Sequence, residues 1–200
     1  MEKYEKRWPL GTRERLALSL LLYTACRRED VVRFGPDNIV GDRFQFTHAK
    51  NEHRKPVPID IPLHQDLDIA IKAGPCGKKR FLETEYGNPF TANGFGGWFK
   101  ERCVQAGVPG RAHGLRKAMA ARLAEGGASA HQIMSVTGHR TLAEVERYTQ
   151  AAAWPRLADA AMGFVPPKKT SGTTIEEDEE IQLHPGTLAL PRGLEPLFSP

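Results

Sequence analysis

Two hundred residues, 40% of them hydrophobic, suffice for the core of one domain of ordinary size. The formal net charge of +4 hides an asymmetry: residues 171–200 hold six acids against one base, leaving 27 Lys and Arg against 18 Asp and Glu over residues 1–170. That surplus suits a polyanionic partner; Cys26, Cys76 and Cys103 lack the number and spacing of a disulfide framework or a zinc site, and the apolar run from Leu16 to Cys26 is too short for a bilayer. A soluble protein of the reducing cytoplasm is expected.

In chain order, Met1 to Trp8 is polar and reads as an irregular lead-in. Gly11-Thr12 caps a helix whose leucines (Leu16, Leu18, Leu20, Leu21, Leu22) are dense enough for a central buried element. Arg28 to Arg33 reads as a short second helix, closed by Gly35-Pro36. From Asn38 the period changes to two. Ile39-Val40, Arg43 to Thr47 and Val57 to Ile61 are predicted as three antiparallel strands, the first two joined at Gly41-Asp42 and the last two by a basic loop that contains Lys50 and Lys55. Leu63 to Ala73 is expected as a helix, Phe81-Leu82 as a strandlet, and Thr91 as the cap of a helix ending at Gly107. A helix starting near His113 sets His113 and Arg116, three apart, on one face. Gly126-Gly127 breaks it, a short apolar helix (Ile133, Met134, Val136) stops at Gly138, and Thr141 with Glu144 forms a possible capping box for the helix that carries Tyr148. Ala151 to Phe164 is expected as a separate last helix entered at Trp154-Pro155. The acidic, proline-containing stretch 166–200 reads as a disordered tail.

His113-Gly-Leu-Arg116-Lys117, then Gly138-His139, then Tyr148 nine positions later resembles the boxes of tyrosine recombinases of the phage-integrase type. An earlier arginine box, Thr24-Ala25-Cys26-Arg27-Arg28-Glu29-Asp30, matches the family's Thr-Gly-x-Arg-x-x-Glu except for Ala25 in place of glycine. Arg27 is the matching arginine, with Arg28 beside it. The resemblance implies a mainly α catalytic domain with a small three-stranded antiparallel sheet over residues 9–165. It implies a catalytic set of Arg27, Lys50, His113, Arg116, His139 and Tyr148, steadied by Asp30, with Lys55 the rival for Lys50. It also implies double-stranded DNA as substrate, four chains on paired sites, and no metal or cofactor. The family usually carries an N-terminal DNA-clamp domain, and with only eight residues or so ahead of the first core helix none is expected in this sequence.

The chemistry that needs these groups is phosphoryl transfer. Guanidiniums hold the non-bridging oxygens, a base takes the proton of the attacking tyrosine, and an ammonium protonates the departing 5′ oxygen. Taken singly, each residue has an ordinary structural use; the order Arg, Lys, His-x-x-Arg, Gly-His, Tyr is the signal. Two other classes fit less of the pattern: a DNA-binding remnant that exchanges no strands, and a type IB topoisomerase.

Overall fold

Helix α2 (Arg13–Tyr23) is the centre of the main core: Leu16 through Leu22 are all buried on it. Thr12 starts the helix by accepting the Arg15 amide on its hydroxyl, and each buried leucine contributes about 1.5–3 kcal/mol by leaving water. The computed structural model describes residues 1–51 and 56–165. Lys55 and the tail 166–200 lie outside the described residues. Met1–Phe164 forms one unit.

The strands β1 (Ile39–Val40), β2 (Arg43–Thr47) and β3 (Pro58–Pro62) form an antiparallel sheet in that order, with Phe44 opposite Ile61 and Phe46 opposite Ile59. Those four side chains point inward and join the α2 core, while alternate positions face solvent, as period two requires. The remaining helices are α3 (Arg28–Val31), α4 (Gln65–Ala73), α5 (Ala92–Gln105), α6 (Ala112–Glu125), α7 (Ala130–Thr137) and α8 (Leu142–Met162). Thr91 caps α5 and Glu144 caps α8, as their spacing predicts. A second, smaller core (Ala120, Ala124, Ile133, Val145) joins α6, α7 and α8, with Tyr148 packed on its edge.

Three expectations are corrected. Residues 1–8 are no irregular lead-in: Glu2–Arg7 is helix α1, because acids in its first turn and bases in its last complement the helix dipole. Tyr4 also anchors it, 2% exposed, against Phe99. Phe81-Leu82 forms no strand. Its signal was burial alone, and only the Phe81 amide pairs, with the Phe34 carbonyl at 2.8 Å. The last helix does not begin at Trp154-Pro155, since α8 runs through proline unbroken. An interior proline forfeits one donor, but its fixed φ is helical and the turns before it extend without a new nucleus.

Candidate active site

Arg27 immediately precedes α3, where its extended backbone (φ −89°, ψ 162°) lets its amide donate to Asp30 Oδ2 at 3.0 Å. Two residues earlier, Ala25 is fully buried at φ +48°. That is the left-handed region, which costs a side chain about 1–2 kcal/mol and glycine almost nothing. The turn it makes aims the Ala25 carbonyl at Arg116, whose Nη1 donates to it at 2.9 Å. Arg116 is itself 3% exposed on α6. Burial, and then the charge of Arg27, lower its pKa to about 10, so it stays a cation at neutral pH.

Each arginine keeps one nitrogen in reserve. Arg27 Nη1 and Arg116 Nη2 are buried and have no hydrogen-bond partner among the described residues. His113, exposed in the first turn of α6, has its pKa lowered by partial burial and by Lys117, Arg116 and Arg27. His139 is half-buried, and desolvation with Arg116 pulls it down to about 4. These four predicted residues therefore share one electrostatic neighbourhood.

The Thr137 hydroxyl lies 2.7 Å from both the Ile133 carbonyl and His139 Nδ1. With its proton on that carbonyl it accepts from Nδ1–H, and His139 Nε2 is left without a proton. Donation to a phosphate through Nε2 then needs the doubly protonated ring, or a hydroxyl turned toward Nδ1.

Asp30 meets Arg27 only through the main chain, which refines its expected role. Its carboxylate also accepts the Ala49 amide at 2.8 Å and faces His48 Nδ1 at 2.7 Å, and these hydrogen bonds hold its pKa below the usual carboxylate value against the effect of burial. Ala49 begins the single 3-10 turn that carries Lys50, exposed, on the loop after β2. Sequence reasoning passed over His48. The signal was there, because Phe44 and Phe46 face inward and the alternation carries one step further to residue 48.

Among the described residues no hydrogen bond joins Lys50 or Tyr148 to the other four. Tyr148 is half-buried on α8, and its hydroxyl accepts from Arg147 Nη2 at 3.3 Å, with that guanidinium 5.1 Å from the ring centroid. Beside Arg27 and His113 opens a cleft of about 480 Å³, also lined by Arg28, Lys100 and Arg111, with Glu29 the one acid on its wall. Gly97 leaves that wall open, since a Cβ there would touch nothing within 4 Å. A basic groove lined by Arg27, with its unpartnered Nη1, can seat a sugar-phosphate backbone.

Residues 1–153 match the Phage integrase family. Over 156 residues the chain is 27% identical to Tyrosine recombinase XerC of Mycobacterium bovis BCG and of Mycobacterium tuberculosis, covering 72% of this chain and 51% of theirs. It thus spans about half the length of these curated relatives. Among solved structures, XerA recombinase superposes with a TM-score of 0.63 at 14% identity, over 80% of this chain and 60% of that one. A lambda integrase dimer bound to a COC′ core site gives 0.58 at 20%, over 74% and 56%. The Tn1549 transposon integrase with a circular intermediate DNA gives 0.57 at 18%, over 72% and 57%. These likenesses establish the fold.

Proposed function

Because the chain belongs to the phage integrase family, we propose that it cuts and rejoins double-stranded DNA in site-specific recombination, through a 3′-phosphotyrosine on Tyr148 and without a metal or cofactor. The observation that carries this reading is that Arg27 Nη1 and Arg116 Nη2 are buried without a hydrogen-bond partner among the described residues, on two arginines that act on each other electrostatically. Leaving a buried charged donor unpaired costs several kcal/mol, about 1–3 or more for each. Arg13 Nε and Arg102 Nε share that state elsewhere, but Arg27 and Arg116 lie within one another's field, and two such cations suit a scissile phosphate with its two non-bridging oxygens.

In the proposed reaction Tyr148 Oη attacks phosphorus while His113, held neutral by its lowered pKa, takes the phenolic proton. The bond from phosphorus to the 5′ oxygen breaks, Lys50 protonates that oxygen, and His139 donates to a non-bridging oxygen. An arriving anion favours the protonated form of His139, which supplies the Nε2 donor. Rejoining is the reverse. Tyr148 must leave Arg147 to reach the phosphate, and a turn of the side chains on α8 suffices for that. We assign assembly as four chains on two sites in the cytoplasm, supported by the apolar side chains of Trp154, Met162 and Phe164, 70%, 67% and 87% exposed at the end of the unit.

A second reading, DNA holding without strand exchange, is favoured by one observation, the Tyr148 hydroxyl bonded to Arg147 rather than set between the arginines. Arg27→Ala and Arg116→Ala decide between them on nicked half-site DNA from the flanks of the chain's own gene. Both are expected to abolish the covalent protein–DNA complex and to keep duplex affinity within about an order of magnitude. A covalent complex that survives either substitution overturns the clamp assignment, and its absence from the unsubstituted protein favours the second reading.

A further inference from the structure

A carboxylate in the wall of a phosphate site competes with the phosphate for its arginines. Asp30 is 2% exposed, three residues after Arg27, and within the field of Arg116. Yet it neutralises neither. Its oxygens are taken by the Arg27 and Ala49 amides and by His48, while Arg27 Nη1 and Arg116 Nη2 have no partner among the described residues.

His48 is fully buried, and its second nitrogen, Nε2, meets the Thr137 carbonyl at 3.2 Å. A carbonyl can only accept, and so can an ionised carboxylate. The ring that satisfies both therefore carries a proton on each nitrogen. Its surroundings favour that cation: Asp30 lies on Nδ1, and α7 ends at Thr137, which turns the negative end of the helix dipole toward Nε2. The Phe46 ring from β2 packs on the imidazole, and Ile59 Cδ1 from β3 lies beside Gly138 with it, while Arg33 shares a cavity wall with Asp30. Complete burial of the ring opposes its charge, and Arg116 on α6 acts on Asp30.

We propose that His48 is the resident counter-ion of Asp30, a positioning residue that keeps this carboxylate off Arg27 and Arg116 so that both guanidiniums stay free for the scissile phosphate. Its second hydrogen bond fixes the Gly138–His139 corner at the same time. One buried ring thus links the segments that carry Arg27, Lys50 and His139. The inference rests on reading the site as one that cleaves a phosphodiester.

Two measurements test it. In the unsubstituted protein, side-chain 15N spectra near neutral pH are expected to show both His48 nitrogens protonated; a neutral tautomer overturns the proposal, and no variant has to fold for that result. The second is a cycle of His48→Gln, Asp30→Asn and the double substitution, read as the rate of covalent adduct formation on nicked half-site duplex. His48→Gln is expected to slow the adduct about tenfold, because Asp30 then turns its charge on the arginines. Adding Asp30→Asn removes that charge and should bring the rate back to within about threefold of the unsubstituted protein. A purely structural His48 predicts the double variant slower than either single one, and that result refutes the counter-ion role. An unsubstituted protein that forms no adduct sinks the reading of the site and the catalytic part of this inference with it, whereas a neutral His48 sinks this inference alone.

Discussion

Alanine at Gly138 measures how firmly the His48 wedge is held. Gly138 closes α7 at φ +67°, and a Cβ added there would collide with His48 Nε2 and sit 2.7 Å from its Cδ2 and 3.0 Å from Ile59 Cδ1. His48 has nowhere to go, because swinging aside breaks its bond to Asp30 or to the Thr137 carbonyl. The left-handed backbone costs alanine about 1–2 kcal/mol, and displacing a buried ring with two such bonds adds about 2–3 kcal/mol. The expected loss of about 3–5 kcal/mol is a large part of a domain stability of about 5–15 kcal/mol. For a unit of this size it lowers Tm by about 10 °C. Gly41→Ala isolates the backbone part, since φ there is +62° and a Cβ meets nothing within 4 Å. Urea denaturation of both variants reads the difference as a shift in midpoint at constant slope. Equal losses for Gly138→Ala and Gly41→Ala would refute the wedge.

Lys50→Ala should lose cleavage on ordinary DNA and regain it on a substrate with a 5′-phosphorothiolate, whose leaving group needs no proton; rescue of Lys55→Ala instead would move the general acid to Lys55. His139 is depressed in the folded protein to about 4 from an ordinary 6.5, so between those values the unfolded chain binds the extra proton. Stability should therefore fall as pH drops from 6.5 toward 4, and His139→Gln should flatten that slope in urea midpoints measured across the range. Asp30, whose pKa lies below its ordinary 3.8, adds a further loss at still lower pH as its ion pair is protonated. Truncation before Trp154 should leave the circular dichroism melt unchanged and abolish cooperative assembly on paired sites in sedimentation; a collapsed melt would show that this end of α8 supports its own core.

The sheet was readable because period two marked Phe44, Phe46, Ile59 and Ile61 and a glycine turn set the first hairpin. The caps at Thr12, Thr91 and Glu144 were readable because capping is local chemistry at fixed spacing. Helix α1 was not, since six residues carry no period and its anchors are tertiary, Tyr4 on Phe99 and the Glu14 carbonyl and Glu5 on Arg15. In the site, the boxes named Arg27, His113, Arg116 and His139, whose shared field the fold then assembles. His48 escaped because its partners lie 18 and 89 residues away, and no local pattern joins it to Asp30 and Thr137. Nor does spacing tell which way Tyr148 turns; that depends on Arg147 beside it, a neighbour that helical periodicity does not pair with it.

The account stands on Tyr148 becoming joined to a DNA 3′ end. The direct measurement incubates the protein with nicked half-site duplex from which the freed 5′ end diffuses away, then digests the trapped complex and sequences the modified peptide by mass spectrometry. A nucleotide on the Tyr148 peptide is expected. Tyr148→Phe, which keeps the ring and removes one oxygen, should give no adduct at unchanged duplex affinity. An adduct that persists in the Phe variant, or that maps to another residue, contradicts the account.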